Sequence, residues 1–99
     1  MQISFTKDYK RDLKKLATQP EILLSAEMIE VMHCLFNGLP LPEKYKDHAL
    51  SGNWQGFRDC HIKNDLVLIY RKTEEGIIFT RLDSHSEVFG YISHFVKKR

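Results

Sequence analysis

Ninety-nine residues suffice for one domain with its own core and are too few for two, so a single domain spanning 1–99 is expected. With 42% hydrophobic and 11% aromatic residues the chain fills such a core without staples, and its 2 cysteines, Cys34 and Cys60, lie too far apart in sequence to suggest a disulfide framework. A net charge of +2 falls well short of the strongly basic balance of many nucleic-acid binders.

Met1 to Tyr9 has no apolar centre of the kind a signal peptide needs, and no run approaches the ~18 apolar residues of a membrane helix. A soluble cytoplasmic protein without membrane contact is expected. Gln2 to Phe5 alternates and reads as a short strand. Thr6 can cap a helix in which Tyr9, Leu13, Leu16 and Ala17 continue a stripe begun by Phe5, with Lys7, Lys10, Arg11, Lys14 and Lys15 elsewhere on its surface. Those cations make either a solvated face or a set of phosphate contacts. Thr18-Gln19-Pro20 ends this helix, and Pro20 opens the next. There Ile22, Ala26, Ile29, His33 and Phe36 mark one apolar stripe, widened by Leu23, Met28, Met32 and Leu35, and Asn37-Gly38 stops it.

Leu39 to Leu50 reads as a proline-bearing loop, of the kind that often carries function on a rigid scaffold. From Trp54 the pattern changes to strands: Trp54 to Ile62, a turn at Lys63-Asn64-Asp65, Leu66 to Arg71, a turn at Thr73 to Gly76, and Ile77 to Leu82. Ser84 to Val96 is the last helical segment, with a break expected at Gly90. The order β-α-α-β-β-β-α is an α+β domain in which a helical hairpin covers an antiparallel sheet.

Of the 5 histidines, three stand where loop and strand ends can converge: His48, His61 and His85. His33 falls on an apolar helix stripe and reads as a core or boundary residue, and His94 in the basic tail reads as surface. No close pair of ligands of the zinc-site kind occurs, and neither metal nor cofactor is expected. Cys60 adjoins His61, but strand neighbours point to opposite faces, which argues against a Cys-His dyad. Glycine-rich phosphate loops are missing. The inventory suits RNA cleavage by 2′-hydroxyl attack, which asks for a base, an acid for the leaving 5′-oxygen and cationic donors for the phosphate. From composition and spacing this is one possibility among several.

The motifs in order carry more. Leu39-Pro40-Leu41-Pro42 is followed by Tyr45-Lys46-Asp47-His48-Ala49-Leu50. Then come Gly52-Asn53-Trp54-Gln55-Gly56-Phe57-Arg58-Asp59-Cys60-His61, Asp65 before Leu66-Val67-Leu68-Ile69-Tyr70, and Ser84-His85-Ser86-Glu87-Val88-Phe89. This resembles the YafQ-type toxins of bacterial type II toxin–antitoxin systems, in the RelE superfamily, over most of the chain and most specifically from Leu39 to Gly90. The resemblance implies a RelE-like fold and a ribosome-dependent endoribonuclease, acting on mRNA in the A site of the 70S ribosome. It also implies a DinJ-like antitoxin, joined in a heterotetramer, with operator DNA bound only through that antitoxin. His48, His61, Asp65, His85 and Phe89 match the positions of the family's active site. On that footing His85 is the general acid, His48 or His61 the base or a phosphate-orienting group, Asp65 a support for a histidine tautomer and Phe89 a stacking platform. Lys46, Trp54, Arg58, Asp59 and Arg81 are further RNA-binding positions. Asp83 departs from the pattern, since many relatives have glycine there, and its carboxylate would raise the pKa of His85 or repel phosphate. The competing implication is a non-enzymatic toxin of the ParE kind, which binds a protein such as gyrase.

Overall fold

The computed structural model describes residues 1–90. The expected continuation of the last helix to Val96, the surface reading of His94 and the basic end at Lys97, Lys98 and Arg99 lie outside the described residues. In chain order the described elements are β1 (Gln2–Phe5), α1 (Lys7–Leu16), α2 (Pro20–Leu23), α3 (Ala26–Phe36), β2 (His48–Ala49), β3 (Arg58–Lys63), β4 (Leu66–Lys72), β5 (Gly76–Ser84) and α4 (His85–Phe89). They form a sheet in the order β1-β5-β4-β3-β2. The expected meander is present as β3, β4 and β5, all antiparallel, and β2 adds an antiparallel edge. β1 joins the other edge parallel to β5, so the sheet is mixed rather than wholly antiparallel. Gly76 permits that junction: a Cβ there would stand 1.8 Å from the Gln2 carbonyl oxygen.

Local chemistry sets the helix boundaries. Thr6 caps α1 by accepting from the Tyr9 N–H at 3.0 Å, as its position before the apolar stripe implies. The single helix expected from Pro20 is two helices, because Ser25 is extended and caps a fresh start, accepting from Met28 N–H at 3.2 Å. That restart sets which part of the helix surface faces the core. Met28, Val31, Cys34 and Leu35 are buried, whereas Ile29 and Phe36 are exposed. His33 is exposed as well and is not the core or boundary residue expected; its Nδ1 lies 3.4 Å from the Asn37 amide nitrogen. Gly38, at φ 68, takes the left-handed turn that ends the hairpin. Strand β3 begins at Arg58 rather than Trp54, because Gly52 (φ 66) and Gly56 (φ 93) turn the chain on either side of a short 3-10 turn that holds Trp54.

Each face of the sheet is covered differently. On one face Tyr9, Leu16, Met28, Val31 and Leu35 from the helices pack on Cys60, Ile62, Leu68, Tyr70, Phe79 and Leu82. On the other, Val67, Ile69 and Val88 form a smaller cluster with Leu50, Trp54, Phe57 and Phe89. Covering on both sides explains the unbroken apolar run in β4. β5 extends past β1, and α1 takes over that edge. Thr6 Oγ1 donates to the Thr80 carbonyl at 2.7 Å, and the Leu82 N–H donates to Asp12 Oδ2 at 2.9 Å. Asp12 thereby occupies a strand edge that would otherwise invite pairing with another chain. None of the described helices is long and apolar enough to cross a membrane.

Candidate active site

The second face, with the smaller apolar cluster, gathers the histidines. Pairing of β2 with β3 sets His48 opposite Asp59, and His61 follows two residues later on the same side of β3. Val67 lies opposite His61, and Asp83 lies on the far side of Val67. Two residues beyond Asp83, His85 begins α4, its N–H donating to the Asp65 carbonyl at 3.1 Å. Ser84 caps this helix, accepting from Glu87 N–H at 3.2 Å, and Val88 anchors it in the cluster below. The rings make a continuous row. Centroids of His48 and His61 are 6.5 Å apart, those of His61 and His85 6.2 Å, and His85 and Phe89 4.7 Å. Trp54 closes the row edge-on to Phe89 at 5.9 Å.

His48 is the most exposed of the three and is held from beneath. Its Nδ1 lies 2.8 Å from the Lys46 carbonyl oxygen and 3.1 Å from Oδ1 of Asp59, whose side chain is buried. A carbonyl oxygen only accepts, so Nδ1 carries the proton and Nε2 is the nitrogen left to act on a substrate. Asp59, expected among RNA-binding residues, lies under His48 instead of facing outward. Asp65 has an exposed side chain, and its connection to His85 runs through its backbone carbonyl. Lys46 is exposed and left-handed, at φ 51.

Two arginines expected at the RNA are committed elsewhere. Arg81 donates to Asp12 from Nε at 2.7 Å and from Nη2 at 3.2 Å, tying α1 to β5. Arg58 donates to Asp47 from Nε at 3.3 Å and from Nη2 at 3.1 Å. Both guanidiniums are held protonated, first by the hydrogen bond to their carboxylate. Asp83 is compensated: Oδ2 accepts from Lys15 Nζ at 3.0 Å, and Oδ1 accepts from the Ser84 N–H at 2.7 Å. Lys15 also reaches Glu87 at 3.6 Å, so one lysine of α1 spans both sides of His85. Cys60 points into the main core, where burial drives its thiol pKa upward, leaving no thiolate beside His61.

An α+β domain with α1 to α3 on one face of its sheet, and a row of imidazoles ending on the short α4 on the other, is the class of protein these elements define. The model of a family described as the bacterial toxin of type II toxin–antitoxin systems, YafQ, matches residues 1–90. The chain is 47% identical over 92 residues to the toxin YafQ of Haemophilus influenzae, covering 88% of this chain and 90% of that one. To the mRNA interferase toxin YafQ of Escherichia coli K12 it is 34% identical over 88 residues, covering 89% of this chain and 95% of that one. The E. coli DinJ–YafQ complex in crystal form contains a chain that superposes with a TM-score of 0.79 at 33% identity, over 90% of this chain and 98% of that one. The chain belongs to the YafQ family of type II toxin–antitoxin toxins.

Proposed function

We propose that this toxin is an mRNA interferase, an endoribonuclease that arrests translation by cutting messenger RNA in the A site of the 70S ribosome. The activity of the E. coli relative supports the reaction class. The observation that carries it here is the row of three imidazoles, with Nδ1 of His48 engaged by the Lys46 carbonyl and Nε2 left to meet a substrate.

In the proposed reaction, His48 Nε2 takes the proton of the 2′-hydroxyl, whose oxygen attacks the adjacent phosphorus. The bond to the 5′-oxygen breaks, and His85 protonates that leaving oxygen. The products are a 2′,3′-cyclic phosphate and a 5′-hydroxyl. His61 stands between the two and orients the phosphate, with Lys46 exposed at the rim to meet its charge. Phe89 and Trp54 offer faces for stacking bases. Asp65 contributes through the backbone bond that seats His85. Acid, base and cationic donors complete the chemistry, and no cofactor is assigned.

By the same reading a small antitoxin of the DinJ kind neutralises the toxin in the cytoplasm, in a heterotetramer that reaches operator DNA through the antitoxin. The E. coli DinJ–YafQ complex supports the pairing. The decisive experiment expresses the chain from a tight promoter and maps mRNA ends in translating cells. New ends within codons are expected, and purified toxin should cut ribosome-bound mRNA and spare free mRNA. Growth arrest without new ends would sink the nuclease reading and favour a protein target.

A further inference from the structure

We infer that Asp47, Arg58 and Tyr70 form a positioning network that fixes the tautomer and aim of His48 from the opposite face of the sheet. The inference rests on the reading of His48 as the base and assigns three residues that touch no substrate.

Register supplies the first half of the argument. Arg58 and Tyr70 are paired across β3 and β4, and Tyr70 belongs to the core on the helix-bearing face. The Asp47 carboxylate meets both: the Arg58 fork described above, and the Tyr70 hydroxyl at 2.5 Å. Asp59, the next residue of β3, takes the other side and lies under His48. Asp47 directly precedes β2, so its anchorage on one side of the sheet fixes the start of the strand that sets His48 over Asp59 on the other.

The backbone supplies the second half. Lys46 sits at φ 51 and ψ 43, a left-handed conformation that is unfavourable for a non-glycine residue and persists only where its neighbours hold it. Both neighbours do. Tyr45 is buried, and its hydroxyl donates to Glu30 of α3 at 2.5 Å. Asp47 is clamped as described. Between these anchors the Lys46 carbonyl is aimed at His48 Nδ1. Loosening Asp47 frees that carbonyl and leaves Asp59 alone, at 3.1 Å, to hold the Nδ1 proton, which weakens the preference for one tautomer and the aim of the ring. Burial, and then the bond to Asp47, keep the Tyr70 phenol protonated, so it remains a donor.

The test combines long-range ¹H–¹⁵N spectra of the histidine rings with cleavage kinetics, on the full chain and its Tyr70→Phe, Asp47→Asn and Arg58→Gln variants. Tyr70→Phe is the variant least able to disturb folding, since it removes one hydroxyl. The native His48 should show a proton on Nδ1. In each variant its signals should move toward a mixture of tautomers while those of His85 stay in place. The kcat should fall about 10-fold with little change in KM, and Arg58→Lys should recover part of what Arg58→Gln loses. Folded variants that leave the His48 tautomer unchanged would overturn the inference, and this readout stands even if the chain cuts no RNA. A raised KM with an unchanged kcat and a shallower salt dependence in Arg58→Gln would also overturn it, placing Arg58 on phosphate.

Discussion

His48 and His85 are distinguished by what lies behind them. A carbonyl and a buried carboxylate hold Nδ1 of His48, and His85 opens a short helix beside Phe89. If they are base and acid, His85→Ala and His48→Ala should each lower single-turnover cleavage by about 10²–10⁴-fold, with the circular dichroism spectrum and melting temperature unchanged. Asp83 sharpens the point. From sequence it threatened His85 with an unbalanced charge, yet in the fold Lys15 neutralises it. Lys15→Met should therefore weaken binding of mRNA, seen as a higher KM that falls back toward native when Asp83→Asn is added. Equal losses in the single and double variants would show that Asp83 repels nothing.

Among the elements, α1 contributes most to order at the site, because it completes the edge of β5 that leads into α4. Asp12 binds both the Arg81 fork and the Leu82 N–H. Asp12→Ala leaves a half-buried guanidinium and a strand amide without their acceptor and should cost about 3 kcal/mol, read as a lower midpoint in urea unfolding. A loss of a few tenths would mean that water replaces the carboxylate at no great cost. The cap between α2 and α3 is worth less: Ser25→Ala should destabilise by about 1 kcal/mol. That cap also shows the limit of periodicity. The segment from Pro20 to Phe36 reads as one widened apolar stripe on a single helix. The restart at Ser25, which sets the phase of α3, rests on a single polar side chain within a pattern that otherwise reads as continuous.

For the whole molecule, buried phenols and the buried thiol of Cys60 set the alkaline limit. Burial pushes Tyr9 up to about 12, and burial first and Asp47 second push Tyr70 upward too. The unfolded chain ionises its tyrosines near the ordinary value of about 10, so above that pH it holds fewer protons than the fold does. The stability these phenols contribute is full below about pH 10 and is lost as pH rises through the folded values. Unfolding free energy should be flat from neutrality to about pH 8.5, decline beyond as the thiol of Cys60 ionises in the unfolded chain, and fall more steeply above about pH 10, less steeply there in Tyr70→Phe once its lower baseline is subtracted. An equal slope in that variant would assign the alkaline limit to other groups.

By itself the sequence determined the α+β class, the capped first helix, the meander and the set of residues from Leu39 to Phe89 by which the family is recognised. Alternation, turn residues and motif order are local properties, and they survive folding unchanged. Tertiary structure decided the parallel pairing of β1, the partners of Arg58 and Arg81, the place of Asp59 under His48 and the neutralisation of Asp83. A charged side chain reads alike in sequence whether it meets phosphate or a carboxylate. Its partner depends on which elements the fold sets side by side, and Asp12 lies 69 residues from Arg81.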